Sequence, residues 1–279
     1  MKTFLLNPYG FCPGVEKAIK IACEQVKVAK NNQKNIYFEH QLVHNEAVDE
    51  LLSKYGNYKI YNDETLKSDD IFLISAHGHN YFLDDKLGNP QIESAFCSLL
   101  QNRFIVIKKA VEERKKIYYL GEINHPESIS TISYIEKKLS YKVQILKDKD
   151  DFFSIARNNF LTPTLLIVQS TYKEQIEFND KNLQIIGACP FVYKRLELIK
   201  TMKDFNTYIV VGSKSSSNTK SLYNLIKHLY PDSRYYLINS KEEISIKELK
   251  EPILICSGTS ALKDTIDAVS YTHLTLPTT

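Results

Sequence analysis

No run of about 18 apolar residues occurs in this chain, so the sequence offers no transmembrane helix. The opening MKTFLLNPYGFCPG has only a short apolar stretch before Asn7-Pro8. That is too short for a secretory signal and reads as a first β-strand. Charge of one sign is also lacking: 36 basic residues face 33 acidic ones, a net of +3. So small an excess gives no reason to invoke nucleic acid or a membrane surface. No C-x₂-C pair is present, which removes the usual signature of a zinc site. The G-x-x-x-x-G-K-[ST] loop is absent as well, so nucleotide hydrolysis is not indicated. Five cysteines, odd in number and widely scattered, do not build a disulfide framework and fit a reducing, cytoplasmic setting.

What remains is a globular composition, 43% hydrophobic and 25% charged over 279 residues, enough for two or three small domains. Short apolar runs recur, and most end in a polar loop. Residues 4–6 lead to Cys12, 36–38 to His44, 71–74 to His77 and 117–120 to His125. Residues 165–168 lead to Ser170, 209–211 to Ser216 and 253–256 to Ser260. Helical stretches intervene at 15–30, 99–115, 193–203 and 221–229. Short buried strands alternating with helices predict α/β units with parallel sheets, whose ligands sit beyond the carboxyl ends of the strands. Residues 104–107 fit strand or buried helix and are read as helix, because Cys97 then heads a helix as Cys12 and Cys189 do. The expected units are 1–97, carrying the N-terminal strand and Cys12, then 98–188 and 189–269. The last ten residues, SYTHLTLPTT, are uncharged and threonine-rich, and read as an atypical tail with no core to join.

Cys12, Cys97 and Cys189 stand 85 and 92 residues apart. Two of them share C-P-x-V-x-K, with a proline suited to the first turn of a helix. A helix dipole favours the thiolate, which is the form that binds metal. One such cysteine per third of the chain predicts three sulfurs on one metal cluster with a ligand missing. A [4Fe–4S] cluster normally takes four thiolates, so three leave one iron open to substrate. Cys23, on a helix face, and Cys256, in a strand, read as core residues. His44, His77 and His125, with Ser216, Ser217, Asn218 and Ser260, supply the N–H and O–H donors that phosphate oxygens accept. Helix starts after those loops favour the same anion. Glu127, two residues after His125, is the one carboxylate set in such a loop and a candidate proton donor.

GFCPGVEKAI, VHNEAV, SAHG, HPE, QST, GSKSSSN and GTSA, in this order, closely resemble the 4-hydroxy-3-methylbut-2-enyl diphosphate reductase (IspH/LytB) family of the non-mevalonate isoprenoid pathway. The likeness runs from Cys12 to Ser260. It implies a trefoil of three similar α/β domains around a central iron–sulfur cluster. It also implies that Cys12, Cys97 and Cys189 hold that cluster. By the same likeness His44, His77, His125, Ser216, Ser217, Asn218 and Ser260 hold a diphosphate, Glu127 supplies protons, and Ser170 stands where the family usually has a threonine near the substrate hydroxyl. A ferredoxin or flavodoxin type protein would donate electrons. Two departures stand out: Ala95-Phe96-Cys97-Ser98 lacks the proline that usually follows the second cysteine, and Leu262 replaces the proline after Ser260-Ala261. The rival readings are a non-catalytic iron–sulfur redox or sensor protein on the same scaffold and a zinc-bound α/β hydrolase. The first would have no use for Glu127 or the serine loop.

Overall fold

The computed structural model describes residues 2–156, 160–172, 176, 178–187 and 189–274. The chain opens with β1 (Thr3–Leu5) and α1 (Pro13–Asn31). Ala18, Ile19, Ala22, Val26 and Ala29 recur at helical spacing along α1 and form its buried stripe. A first sheet follows, from β2 (Ile36–Phe38), β3 (Lys59–Ile60), β4 (Ile71–Ile74) and β5 (Gln91–Ser94), with α2 (Glu46–Ser53) between β2 and β3. Next come α3 (Ser98–Glu112) and a second sheet of β6 (Lys116–Leu120), β7 (Val143–Leu146), β8 (Thr164–Val168) and β9 (Leu183–Ile186). Within it lie α4 (Pro126–Ser133) and α5 (Lys149–Ala156). The last third holds α6 (Pro190–Thr201), β10 (Thr207–Val211), α7 (Ser217–Leu229), β11 (Arg234–Ile238), β12 (Ile253–Ser257) and α8 (Lys263–Leu274).

Every strand pair is parallel, as expected for buried strands joined by crossovers. The sheets run β3-β2-β4-β5, β7-β6-β8-β9 and β11-β10-β12-β1. Each is therefore the same pattern, 2-1-3-4 in unit order, and in the third the fourth place is taken by the N-terminal strand. Thr3, Phe4 and Leu5 stand opposite Ile253, Leu254 and Ile255. The N-terminal strand was expected to group with residues up to 97. Its backbone instead closes the sheet of the last third, where the apolar edge of β12 gives it a partner. The chain divides into two compact units: Met1–Glu16, Val43–Leu51 and Pro190–Thr279 form one, Lys17–Leu42 and Leu52–Cys189 the other.

In all three sheets the first and third strands are the central pair. A parallel sheet that switches direction between its first and third strands opens a crevice at their carboxyl ends. The sequence puts its polar residues there: His44, His125 and Ser216 follow first strands, and His77, Ser170 and Ser260 follow third strands. Cys12, Cys97 and Cys189 each follow a fourth strand and precede a helix. Central strands are largely buried, β8, β10 and β12 throughout, while the edge strands β5 and β11 are mostly exposed or only partly buried.

The tail differs from expectation. Helix α8 continues to Leu274, and Ser270, the first tail residue, is buried next to Val269. Residues 275–279 of that segment lie outside the described residues.

Candidate functional site

Glu127 belongs to the first turn of α4 and is 2% exposed. Pro126 precedes it, and proline at that position leaves no amide to satisfy. His125 caps the helix: its Nδ1 accepts from the Glu127 amide at 3.2 Å. That places the imidazole proton on Nε2. Burial, opposed by the charges of Glu127 and Glu122, holds the His125 pKa below the ordinary histidine value. The hydrogen bond at Nδ1 and burial both favour the neutral ring with its N–H at Nε2. The His77 ring stands edge-on to it, 5.1 Å between centroids.

The Glu127 carboxylate is tightly held. Its Oε1 accepts from Arg103 Nη1 at 2.9 Å and from the Ser170 amide at 2.8 Å. Its Oε2 accepts from the Ser170 hydroxyl. Two cysteines are tied to this cluster through backbone. The Cys189 amide donates to the Ser170 carbonyl at 3.3 Å, and the Cys97 amide donates to the Ala76 carbonyl at 3.1 Å, one residue before His77. Cys97 is the N-cap of α3, so its sulfur leaves the chain at the positive end of that helix, as the sequence predicted without a following proline.

The other compact unit holds the serine loops. Ser216 caps α7, its Oγ accepting from the Thr219 amide and lying 3.3 Å from Ser260 Oγ. Asn218 donates to the Thr259 hydroxyl. Asn45, beside His44, donates to the Ser260 carbonyl at 2.6 Å and caps α2 by accepting from the Ala47 amide. Ser217 is half-buried in the first turn of α7. The Cys12 amide donates to the Thr259 carbonyl at 3.1 Å, placing the first cysteine beside this loop. Gly258 is there for close approach: a Cβ would fall 2.2 Å from Thr219 Oγ1. Hydroxyls, an amide and the start of a 13-residue helix in one place make a donor-rich cluster whose groups are of the kind phosphate oxygens accept from.

None of the five cysteines forms a disulfide. Cys256 is buried, in agreement with the core reading, and burial pushes its pKa up to about 12. Cys23 is half-buried rather than in the core, with a pKa that burial raises. Cys12, Cys97 and Cys189 are half-buried, each at a helix start. An all-thiol set of this kind fits an iron–sulfur cluster by donor chemistry. Among the described residues, no group of three or more His, Cys, Asp and Glu side chains forms a compact metal site. Among the described residues, no helix is long and apolar enough to cross a membrane.

Sequence reasoning missed two arginines. Arg103 and Arg195 each stand six residues after a cysteine, Cys97 and Cys189. Arg195, 4% exposed, donates to the Ser257 carbonyl at 2.9 Å and the Gly10 carbonyl at 2.6 Å. A charge so buried must be paired or hydrogen-bonded, and here backbone oxygens at the end of β12 and in the loop before Cys12 accept from it. The available signal was a basic residue in the buried stripe of a cysteine-headed helix.

The model of the LytB protein family matches residues 3–272. A 4-hydroxy-3-methylbut-2-enyl diphosphate reductase of Buchnera aphidicola is 30% identical over 240 residues, covering 81% of this chain and 75% of that protein. One from Dictyoglomus turgidum is 30% identical over 280 residues, covering 96% and 95%. Among solved structures, the E-1-hydroxy-2-methyl-but-2-enyl-4-diphosphate reductase of Plasmodium falciparum shares the fold with a TM-score of 0.77 at 24% identity, covering 99% of this chain and 88% of that one. A second, described as the terminal enzyme of the non-mevalonate pathway, has a TM-score of 0.63 at 22% identity, covering 97% and 98%. Three parallel α/β sheets, the ordered loops at their strand ends and this match over nearly the whole length together place the chain in the LytB family.

Proposed function

We propose that this protein is a 4-hydroxy-3-methylbut-2-enyl diphosphate reductase, which removes the substrate's terminal hydroxyl as water and yields isopentenyl and dimethylallyl diphosphate. The reaction consumes two electrons and two protons. His44, His77, His125, Ser216, Ser217, Asn218 and Ser260 bind the diphosphate through N–H and O–H donors. Cys12, Cys97 and Cys189 would hold a [4Fe–4S] cluster, which when bound would supply the electrons and Lewis acidity for loss of the hydroxyl. The electrons reach the protein from a ferredoxin or flavodoxin type donor in the cytoplasm.

Glu127 is the proton source at the departing oxygen. The observation that carries this reading is its setting. A carboxylate 2% exposed is fixed by Arg103 and Ser170 at the start of a helix capped by His125. The Ser170 hydroxyl donates to Oε2 of the ionised group. Once the carboxyl has taken up a proton the bond reverses, and the hydroxyl can accept that proton while passing its own outward. A protein that only carried electrons would have no use for this arrangement.

The test is turnover of the diphosphate by anaerobically reconstituted protein with a one-electron reductant. Wild type forms both products. Glu127→Gln retains iron but loses about 10²- to 10⁴-fold in rate, the span of a positioned acid. Bound iron with no turnover in wild type would leave the electron-carrier reading instead.

A further inference from the structure

We infer that Arg103 is a positioning residue for Glu127: its forked guanidinium fixes one carboxylate oxygen so that the other, paired with the Ser170 hydroxyl, faces the reaction. The inference rests on the reading of Glu127 as the acid and adds a residue to it. Nη1 of Arg103 lies 2.9 Å from Glu127 Oε1, and Nη2 donates to the Gly187 carbonyl, two residues before Cys189. The Arg103 side chain is 14% exposed and that of Glu127 3%. Oε1 is thereby engaged twice, by a cation and by the Ser170 amide, whereas Oε2 has a hydroxyl partner that can exchange a proton.

The fork also ties three pieces of chain together. Arg103 projects from α3, the helix that Cys97 caps, and reaches α4 through Glu127 and the end of β9 through Gly187. Planar guanidinium can hold a carboxylate and a carbonyl at once in set directions, which a lysine ammonium cannot. A rotation of the carboxylate would turn Oε2 and the Ser170 hydroxyl away together. Displacements of about 1 Å at a reacting group can cost about 10²-fold in rate.

Steady-state kinetics on reconstituted full-length wild type, R103K, R103Q, E127Q and R103Q/E127Q tests this, with the allylic diphosphate and a one-electron reductant. R103Q is expected to lower kcat about 10²-fold while KM stays close to wild type. R103K keeps the charge without the fork and stays well below wild type. Because Arg103 acts through Glu127, the double variant is no slower than E127Q. Hydrogen exchange on the same proteins gives a readout apart from activity: the Ser170 amide exchanges faster in R103Q, since its acceptor is no longer held. Multiplying losses in the double variant, full activity in R103K, or unchanged Ser170 exchange would each overturn the inference. An inactive E127Q beside a fully active R103Q sinks it alone. An active E127Q sinks the acid role and this inference with it.

Discussion

The Nδ1 atom of His79 lies 2.9 Å from Glu39 Oε2, and both side chains are buried. The other ring nitrogen, Nε2, lies 2.8 Å from Asp84 Oδ1, so one imidazole bridges two carboxylates. His40 approaches Glu39 at 3.9 Å, Tyr81 packs edge-on to His79, and Lys138 pairs with Asp84. Burial alone would lower the His79 pKa, but hydrogen bonds and charge from Glu39 and then Asp84 outweigh it and raise the value. A raised folded pKa means the native state binds the proton more tightly than the unfolded chain. The stability His79 contributes is therefore complete below about pH 6.5 and fades as pH rises through its folded value. Melting temperatures from about pH 6 to about pH 9 should show the gap between wild type and His79→Gln narrowing with rising pH. A constant gap would contradict the assignment.

Gly78, between His77 and His79, has φ +99, and a Cβ there would fall 2.3 Å from Ser130 Oγ and 2.8 Å from the Phe96 ring. Both backbone strain and overlap oppose any side chain, so Gly78→Ala should cost about 2 kcal/mol or more. Phe96 precedes Cys97, so the same change should weaken iron retention. Chemical denaturation and iron content measure the two effects. A variant as stable as wild type would show that the loop relaxes freely.

Ser170 holds Glu127 through both its amide and its hydroxyl. Ser170→Ala removes the hydroxyl alone and should lower kcat about tenfold or more, the worth of a hydrogen bond to a charged group. Ser170→Thr keeps the hydroxyl and should recover most of that loss. Equal rates for the alanine and threonine variants would remove the hydroxyl from the mechanism.

The cysteines divide by chemistry. Cys23 and Cys256 have thiols whose pKa burial raises, while Cys12, Cys97 and Cys189 stand at helix starts. Serine at position 12, 97 or 189 should strip most of the iron from reconstituted protein, and serine at 23 or 256 should not. Iron measured per chain across the five variants decides it. Iron retained by Cys12→Ser would place the ligands elsewhere.

Apart from the N-terminal strand β1, which lies at an edge, the strands that sequence reading found are the ones that bury both faces. Residues 36–38, 71–74, 117–120, 165–168, 209–211 and 253–256 all became central strands, because unbroken apolar runs are the mark of that place. The strands it passed over, β3, β5, β7, β9 and β11, are all edges. Gln91–Ser94 is mostly exposed and Arg234–Ile238 only partly buried, so neither carries a continuous apolar signal. Residues 104–107 were legible as helix only through Cys97 upstream, and α3 runs through them. The polar loops were legible as well, since histidine, serine and asparagine follow nearly every central strand. The partners that hold them were not. Arg103 meets Glu127 from 24 positions away, and Arg195 reaches Gly10 across 185, and no local pattern encodes such pairings.

Iron and acid-labile sulfide per chain, measured after anaerobic purification and reconstitution, test the central claim that three cysteines carry a cluster for reductive chemistry. The account predicts near-equal amounts, about four of each, as a [4Fe–4S] centre requires. Zinc in their place, or no metal at all, would contradict the reductase mechanism and leave an α/β protein of the LytB family without it.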